Sequence, residues 1–590
     1  MKKFLSICIY FTFPFILSAQ EVSFTDASDL LPSATVSDHA IGVVDMNGDG
    51  KDDIIRMQSS GSPGNAEQTV YVAIQQAPGL DFVSQTLGTM DVSGTGSADA
   101  WGLCVSDVDE NGQNDLITGG FYNGVYIFKA DEDATNYTAD IELDGDIYVQ
   151  GMSALDIDND GEIDIFICDD NDISQILTND GSGNLSETAS GLVPETDDPS
   201  DNSGNYGSVF MDVDNNGYCD LYLAKCRQGV TDNTDPRRIN QLFLNNGDGT
   251  WTSDGVARGV DIGAQSWSAD FGDYDNDGDL DLFVGNHDDF SDFLVNDGNG
   301  FFTEMTSEAD LESNFPFLVI QSTWMDFNND GFIDLLAMGN GSHTLALNNG
   351  DGTFETYDDL FGDYPVNSYA LGDLNNDGFI DLYITANGYG GWGNEMWEDR
   401  MFLNNGNTNN WFKVSLTGVE SNINGIGARV SIYGPWGVQI RDVKAGESYG
   451  IQNSLIQHFG LGSNETIDQV SVSWPSGEVD NFFDVAVNQQ MEITEGTGVV
   501  SVDELGLEAG LQVFPNPTTE LIQIQIDDFN VLKSNSLTFE LFDIDGRFVL
   551  NKNLQEALNT LDVTDLASGV YTYRLSAQGR VLLSDEIIKH

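Results

Sequence analysis

Seven times along the 590-residue chain an Asp is followed by Asp or Asn at the third and fifth places, Gly at the sixth and Asp at the ninth. The first copy, DMNGDGKDD, offers Asp45, Asn47, Asp49 and Asp53, and the second, DVDENGQND, offers Asp107, Asp109, Asn111 and Asp115. DIDNDGEID supplies Asp156, Asp158, Asp160 and Asp164, and DVDNNGYCD supplies Asp212, Asp214, Asn216 and Asp220. DYDNDGDLD follows with Asp273, Asp275, Asp277 and Asp281, then DFNNDGFID with Asp326, Asn328, Asp330 and Asp334. DLNNDGFID closes the series with Asp373, Asn375, Asp377 and Asp381. Oxygens at alternate positions of a tight loop can converge on one point, and Gly at the sixth place permits the sharp turn. A donor set of carboxylates and carbonyls suits a hard cation, and a flexible shell of many oxygens favours Ca²⁺ over Mg²⁺. The expected cofactor is therefore structural Ca²⁺, up to seven ions, with the 28 residues named above as ligands. A metal-free Asx-rich hairpin turn is the alternative for any one loop.

An EF-hand shares this opening but needs a bidentate Glu at position 12 between two helices. Position 12 here is Arg56, Thr118, Ile167, Leu223, Val284, Ala337 and Ile384, none of them such a ligand. Other chemistry is scarce. The mature histidines His39, His287, His343, His458 and His590 lack HExxH or paired-ligand spacing, and neither GxSxG nor a phosphate-binding GxxxxGK[ST] loop occurs. Two working carboxylates of a glycosidase or lyase could hide among the 97 Asp and Glu.

The elements that position the loops are strands. After each ninth-place Asp runs a short apolar segment, such as Leu-Phe-Val after Asp281 and Leu-Tyr-Ile after Asp381. Successive loops are 62, 49, 56, 61, 53 and 47 residues apart, a period that suits one four-stranded propeller blade per repeat. Between loops recur LNNGDGTW (Leu244 to Trp251), LVNDGNGFF (Leu294 to Phe302) and LNNGDGTF (Leu347 to Phe354), whose Asn-Gly and Asp-Gly pairs mark hairpin turns. The last repeat reaches Phe402–Gly406 without the aromatic-Thr strand that should follow. That strand stands near the N-terminus instead, as Val22-Ser-Phe-Thr-Asp26. The sequence thus predicts a ring of seven blades over 20–409, the seventh completed by the N-terminus, which hides two sheet edges.

Together, the acidic loop and the N-x-G-D-G-T-F turn resemble FG-GAP repeats of the VCBS type, which implies calcium as a structural ion between blade strands. From Asn410 to about residue 496, Trp411-Phe-Lys-Val, Gly425-Ile-Gly-Ala-Arg-Val430, Ala445-Gly-Glu-Ser-Tyr449, His458-Phe-Gly-Leu-Gly462 and Val472-Ser-Trp-Pro-Ser-Gly477 resemble the ASPIC/UnbV domain of the cartilage acidic protein family. Its alternating runs predict a small all-β module, in which Arg429, His458 and Trp474 are the residues to inspect and a structural role for His458 and Trp474 is the simpler one. After a linker at 497–511, the segment 512–590 alternates with period two and predicts an immunoglobulin-like sandwich. Its Phe514-Pro-Asn-Pro517 start, Asp543-x-x-Gly546 hairpin and Ala567-Ser-Gly-Val-Tyr-Thr-Tyr-Arg574 strand resemble the type A sorting domain of type IX secretion, although the usual terminal lysine is offset as Lys589-His590. At the other end, Lys2 and Lys3, the apolar run Phe4 to Leu17 and small Ser18-Ala19 read as a signal peptide over 1–19; the run is shorter than the ~20 residues a spanning helix needs.

The whole reads as all-β: a seven-bladed propeller, a small β module and a C-terminal sandwich. A formal charge of -76, from 21 Lys and Arg against 97 Asp and Glu, argues against nucleic acid as a partner. Four mature cysteines are too few for a disulfide scaffold; Cys219 and Cys226 could pair, and buried thiols are the alternative. The expected function is an exported calcium-binding propeller, at the outer-membrane surface or released, acting in adhesion or in glycan or protein binding without catalysis. Its partners would be the type IX machinery and an extracellular ligand, with no transmembrane segment. An extracellular polysaccharide-degrading enzyme is the alternative. Tyr389, Trp392 and Trp397 are the stacking candidates, unless they pack between the seventh blade and the next module.

Overall fold

The computed structural model describes residues 22–498 and 511–589. Outside the described residues within these spans are 33–34, 61–66, 77–81, 92–99, 123, 144–146, 188–190, 197–201, 310, 312–314, 316–317, 340, 387–396, 515–516, 520, 527–536, 543–547, 555–557, 565, 568 and 578–579. The signal segment 1–19, most of the linker, Tyr389 and Trp392 therefore lie outside the described residues. The chain divides into two compact units, one of residues 1–478 with 482–495 and one of 479–481 with 496–590.

In the larger unit, seven four-stranded antiparallel sheets succeed one another along the chain, each taking one acidic loop between its first and second strands. Their innermost strands are Ile41–Val44, Ala100–Ser106, Val149–Leu155, Asn205–Met211, Ser266–Gly272, Gln321–Met325 and Ser368–Gly372. The second strand of each sheet begins at the ninth-place Asp. Asp281–Asn286, for example, reads DLFVGN and is buried throughout. A strand covered on both faces has no solvent side, so its sequence is a continuous apolar run. In blades 3 to 7 the outermost strands are short and mostly exposed, as in Phe302–Glu304, whereas Phe82–Asp91 and Tyr137–Leu143 of blades 1 and 2 are longer. The seventh sheet holds only three strands from its own repeat. Phe24–Asp26 supplies the fourth, pairing Phe24 with Asn404, Thr25 with Leu403 and Asp26 with Phe402. The N-terminal strand thus closes the seven-bladed propeller as its sequence predicts.

The second module belongs to the same unit. Asn410–Thr417 pairs antiparallel with Gln457–Gly462 and parallel with Gln489–Thr494. A second sheet joins Gly437–Asp442, Arg429–Gly434 and Thr466–Ser473. Their apolar faces share one core with blades 2 to 4, in which Phe412, Val430, Phe459 and Trp474 are buried. Residues 443–456 leave the module and enter the ring. Within them Ile451–Gln452 pairs parallel with Ile41–Gly42, making a fifth strand on the inner edge of blade 1.

The smaller unit is two packed sheets. Leu521–Ile526 lies between Leu511–Phe514 and Leu558–Asp562, and Leu537–Phe542 between Phe548–Leu554 and Gly569–Ala577, which pairs on with Arg580–Lys589. Ile522, Ile524 and Leu561 of one sheet meet Phe539, Leu541 and Tyr573 of the other, giving the expected sandwich.

Candidate metal centres

Each acidic loop is a hydrogen-bonded turn built on its first and ninth aspartates. In blade 3 the Asp156 carboxylate accepts the N–H of Asp160 at 2.9 Å on one oxygen and that of Gly161 at 2.9 Å on the other. The same pair of bonds recurs at Asp45, Asp107, Asp212, Asp273 and Asp373. The sixth-place glycine has positive φ, 97° at Gly161, where a side chain would be strained. The ninth Asp reaches two ways: Asp164 accepts Ile157 N–H at the loop entrance and Asn179 N–H on the third strand. Asp53, Asp115, Asp220, Asp281 and Asp334 make the equivalent two bonds in their own blades. This carboxylate is therefore a staple between strands as well as a candidate ligand, a role its spacing alone does not reveal.

Positions 1, 3 and 9 converge. In blades 2 to 5, carboxylate oxygens of Asp107, Asp109 and Asp115, of Asp156, Asp158 and Asp164, of Asp212, Asp214 and Asp220, and of Asp273, Asp275 and Asp281 lie within 4.8 Å of one another. At Asp109, Asp158 and Asp214 the Oδ1 oxygen is buried with no hydrogen-bond partner. A buried carboxylate oxygen facing two more carboxylates and no donor is costly unless a cation meets it. The donor set fits a hard divalent cation in those four loops, and the orphaned oxygens add to that fit in blades 2 to 4. In blades 1, 6 and 7 the third place is Asn. There the side-chain oxygens of Asn47, Asn328 and Asn375 accept the N–H two residues on, and the amides of Asn328 and Asn375 donate to Asp330 and Asp377. Position 5 braces the loop as well. The Oδ1 of Asp49, Asn111, Asp160, Asn216, Asp277, Asp330 and Asp377 accepts the N–H of the seventh residue.

Crowding leaves these acids reluctant to ionise. Burial, aided by neighbouring carboxylates and opposed by backbone N–H bonds, pushes Asp156 up to about 6, Asp164 to about 7, and Asp53, Asp115 and Asp220 to about 8. A bound cation reverses that preference by stabilising the ionised form.

The recurring Asn of the L-N-N-G-D-G turn has its own task. Its oxygen accepts turn N–H groups, as Asn296 does from Gly298 and Gly300. Its amide donates backwards to the second residue of the preceding blade's loop: Asn179 to Val108 at 2.8 Å, Asn296 to Val213 at 2.9 Å, Asn348 to Tyr274 at 2.7 Å and Asn404 to Phe327 at 2.8 Å. The loops are thereby stitched around the ring.

The second module reaches every loop on this face. Gln490 donates to Gly50 O, Asn424 accepts from Asp107 N–H, Arg429 donates to Asp212 O, and Gly462 N–H donates to Asn329 O. Glu420 and Val438 lie over Gly161 and Gly278. In blade 7, buried Lys413 bonds Asp373 at 2.7 Å and Asn376 at 2.9 Å, while the Trp411 indole packs on Gly378. His458 donates from Nε2 to Gly378 O, and burial lowers it to about 3, so it is a neutral interface residue. Trp474 is core. Cys104, Cys168, Cys219 and Cys226 are all free thiols, because Cys219 and Cys226 flank opposite ends of Asp220–Lys225 and cannot pair. Trp397 is part-exposed, edge-on to Tyr364 at 6.0 Å.

These loops, on a ring closed by its own N-terminus, define an FG-GAP-type β-propeller. Family models agree: the FG-GAP-like repeat matches residues 156–223, 212–284 and 326–384, ASPIC and UnbV matches 418–500, and the secretion system C-terminal sorting domain matches 512–589. The chain is thus a protein of FG-GAP-like repeats carrying an ASPIC and UnbV domain and a type IX sorting domain, which directs it to the cell surface or the extracellular space. Among the described residues no helix is long and apolar enough to cross a membrane. No curated protein matches the chain. Solved structures similar to it include a lectin of Agrocybe aegerita that recognises non-reducing terminal N-acetylglucosamine, with 17% identity, 62% of this chain and 92% of that one covered, and a TM-score of 0.38. The BP39L lectin of Burkholderia pseudomallei matches at 11% identity and a TM-score of 0.39, over 59% of this chain and 93% of its own.

Proposed function

We propose that the protein is a calcium-stabilised, non-catalytic binding or adhesion protein of the cell surface or its surroundings. The observation that carries the calcium half is the set of buried, partnerless Oδ1 atoms at Asp109, Asp158 and Asp214, each inside a three-carboxylate cluster. Calcium in blades 2 to 5 would neutralise the charge the fold concentrates there; the loops of blades 1, 6 and 7, with Asn at position 3, would bind more weakly.

The binding half rests on what the ring leaves open. The second module reaches the acidic-loop face, so the described loops of the opposite face, between second and third strands and between blades, are where a ligand would bind. A rigid face of loops on a closed scaffold suits recognition of an extended glycan or a protein surface. The test is a glycan and protein array probed with the mature protein in Ca²⁺ and in EDTA, beside an assay for reducing-end or unsaturated-sugar release. Calcium-dependent retention without product supports the reading. Product release would replace it with an enzyme, and a full-length protein free of calcium by elemental analysis would remove the calcium half.

A further inference from the structure

The segment Lys444–Ser454 of the second module runs down the axis of the propeller and back, touching the inner strand of all seven blades. Going in, Lys444 pairs with Asp270 of blade 5 at 2.6 Å, and Ala445 bridges Ala154 of blade 3. The Ser448 hydroxyl accepts Ser322 N–H of blade 6 at 3.0 Å. At the tip, fully buried Tyr449 stacks on Tyr206 of blade 4 and tilts against Trp267 of blade 5. Its hydroxyl donates to Gln150 of blade 3, and its carbonyl accepts Gln321 of blade 6 at 2.8 Å and His39, ahead of blade 1, at 3.3 Å. On the way out, Ile451–Gln452 pairs with blade 1, Gln452 Oε1 accepts Val105 N–H of blade 2 at 3.2 Å, and Asn453 Oδ1 accepts Leu371 N–H of blade 7 at 2.8 Å.

Two glycines make this fit possible. A Cβ on Gly446 would lie 2.0 Å from Met152 O, and one on Gly450 would lie 2.2 Å from Trp101 O; both residues have positive φ, 76° and 68°. The run Ala445-Gly-Glu-Ser-Tyr-Gly450 is therefore shaped for close backbone approach to blades 2 and 3 on either side of one aromatic tip.

We propose that the second module is the keystone of the ring: its axial segment supplies the polar groups that inner strand edges otherwise lack, and closure of the propeller depends on it. Buried backbone and amide groups at the axis need partners, and the axial segment provides them. The inference does not depend on whether the loops hold calcium.

The experiment is hydrogen exchange by mass spectrometry on the full mature chain at fixed Ca²⁺. In the wild type, amides of 445–454 and of the seven inner strands should exchange at one common slow rate. Gly450→Val should speed exchange at least ten-fold in the inner strands of all seven blades. Gly437→Val, which imposes the same positive-φ strain (102°) on the same module with nothing within 4 Å, should act locally. Acceleration confined to the second module in Gly450→Val would overturn the proposal. If that variant does not fold, the wild type decides alone: an axial segment exchanging ten-fold faster than the inner strands refutes the keystone, and a common rate upholds it.

Discussion

The third and ninth aspartates of one loop should respond to substitution in opposite ways, and blade 3 offers the cleanest pair. Asp158 has a buried Oδ1 with no partner. In metal-free protein its charge is a net burden, because burial and the nearby Asp160 charge push its pKa upward against one backbone N–H. Asp158→Asn should therefore leave stability in EDTA unchanged or slightly raised. With calcium at 100-fold its Kd, one intact site contributes about 2.7 kcal/mol, and weakening it 100-fold leaves about 0.4, a loss of about 2.3 kcal/mol. For a unit of about 470 residues, unfolding entropy near 2.1 cal/mol/K per residue converts that to a fall of about 2 °C. Asp164 differs because Ile157 N–H at 3.1 Å and Asn179 N–H at 2.9 Å both end on it. Asp164→Asn replaces one acceptor oxygen by a donor and strands a buried N–H, a cost of about 1–3 kcal/mol with or without metal. Calorimetry of both variants in EDTA and in Ca²⁺ separates the roles. Equal destabilisation by Asp158→Asn in both conditions would refute the assignment of that oxygen to a cation, as would no loss in calcium.

Three further outcomes follow from the same geometry. Burial raises Asp164 to about 7 and Asp53, Asp115 and Asp220 to about 8, so the metal-free fold holds protons that the unfolded chain releases near 4. Their contribution to stability is then greatest below pH 4 and is lost as pH rises toward 8; melting in EDTA should fall from pH 5 to pH 8, while the gain on adding Ca²⁺ grows over the same range. Lys413→Met should cost about 3–5 kcal/mol in chemical denaturation, because it leaves Asp373, 2% exposed in its side chain, without its ammonium partner; a loss below 1 kcal/mol would show that Asn376 or solvent already satisfies it. Thiol reagents should find none of the four mature cysteines in the native state and all four after denaturation, since all are free, burial raises every thiol, and only Cys219 is even part-exposed; a reductant should leave melting unchanged.

Repetition carried the fold into view from the sequence. A nine-residue pattern repeated seven times marks blades because each copy must make the same turn, and the strand at Phe24–Asp26 is recognisable as the missing outer strand of the seventh. Ligand positions were only partly readable. Alternate spacing nominates positions 1, 3, 5 and 9 alike; the structure brings the carboxylates of 1, 3 and 9 together in blades 2 to 5, while the fifth Oδ1 also accepts the seventh N–H, a bond the spacing does not name. The stitching by Asn179, Asn296, Asn348 and Asn404 left a signal in the fixed first Asn of the turn, but its partner sits in the preceding blade, and a local motif does not name a partner about 70–80 residues away. The axial segment was least visible for the same reason. Ala445–Gly450 has no repeat to compare with, and its contacts reach back across nearly the whole ring.

The charge of -76 has a structural consequence beyond solubility. Carboxylates that must converge at loop tips repel one another, and the chain meets that repulsion on one face by two means. Blades 2 to 5 present open three-carboxylate clusters, where a mobile cation can enter. The second module brings fixed cations to the same face: Lys413 binds Asp373, Lys444 binds Asp270, Arg429 pairs with Asp442 at 2.7 Å while holding the Asp212 carbonyl, and the charges of Asp326 and Asp273 oppose the burial that lowers Arg441. A fixed ammonium cannot be chelated away, so blade 7 should keep its loop in EDTA while blades 2 to 5 loosen. Loss of calcium would then loosen the ring first at blades 2 to 4, where Asp109, Asp158 and Asp214 present partnerless oxygens inside three-carboxylate clusters.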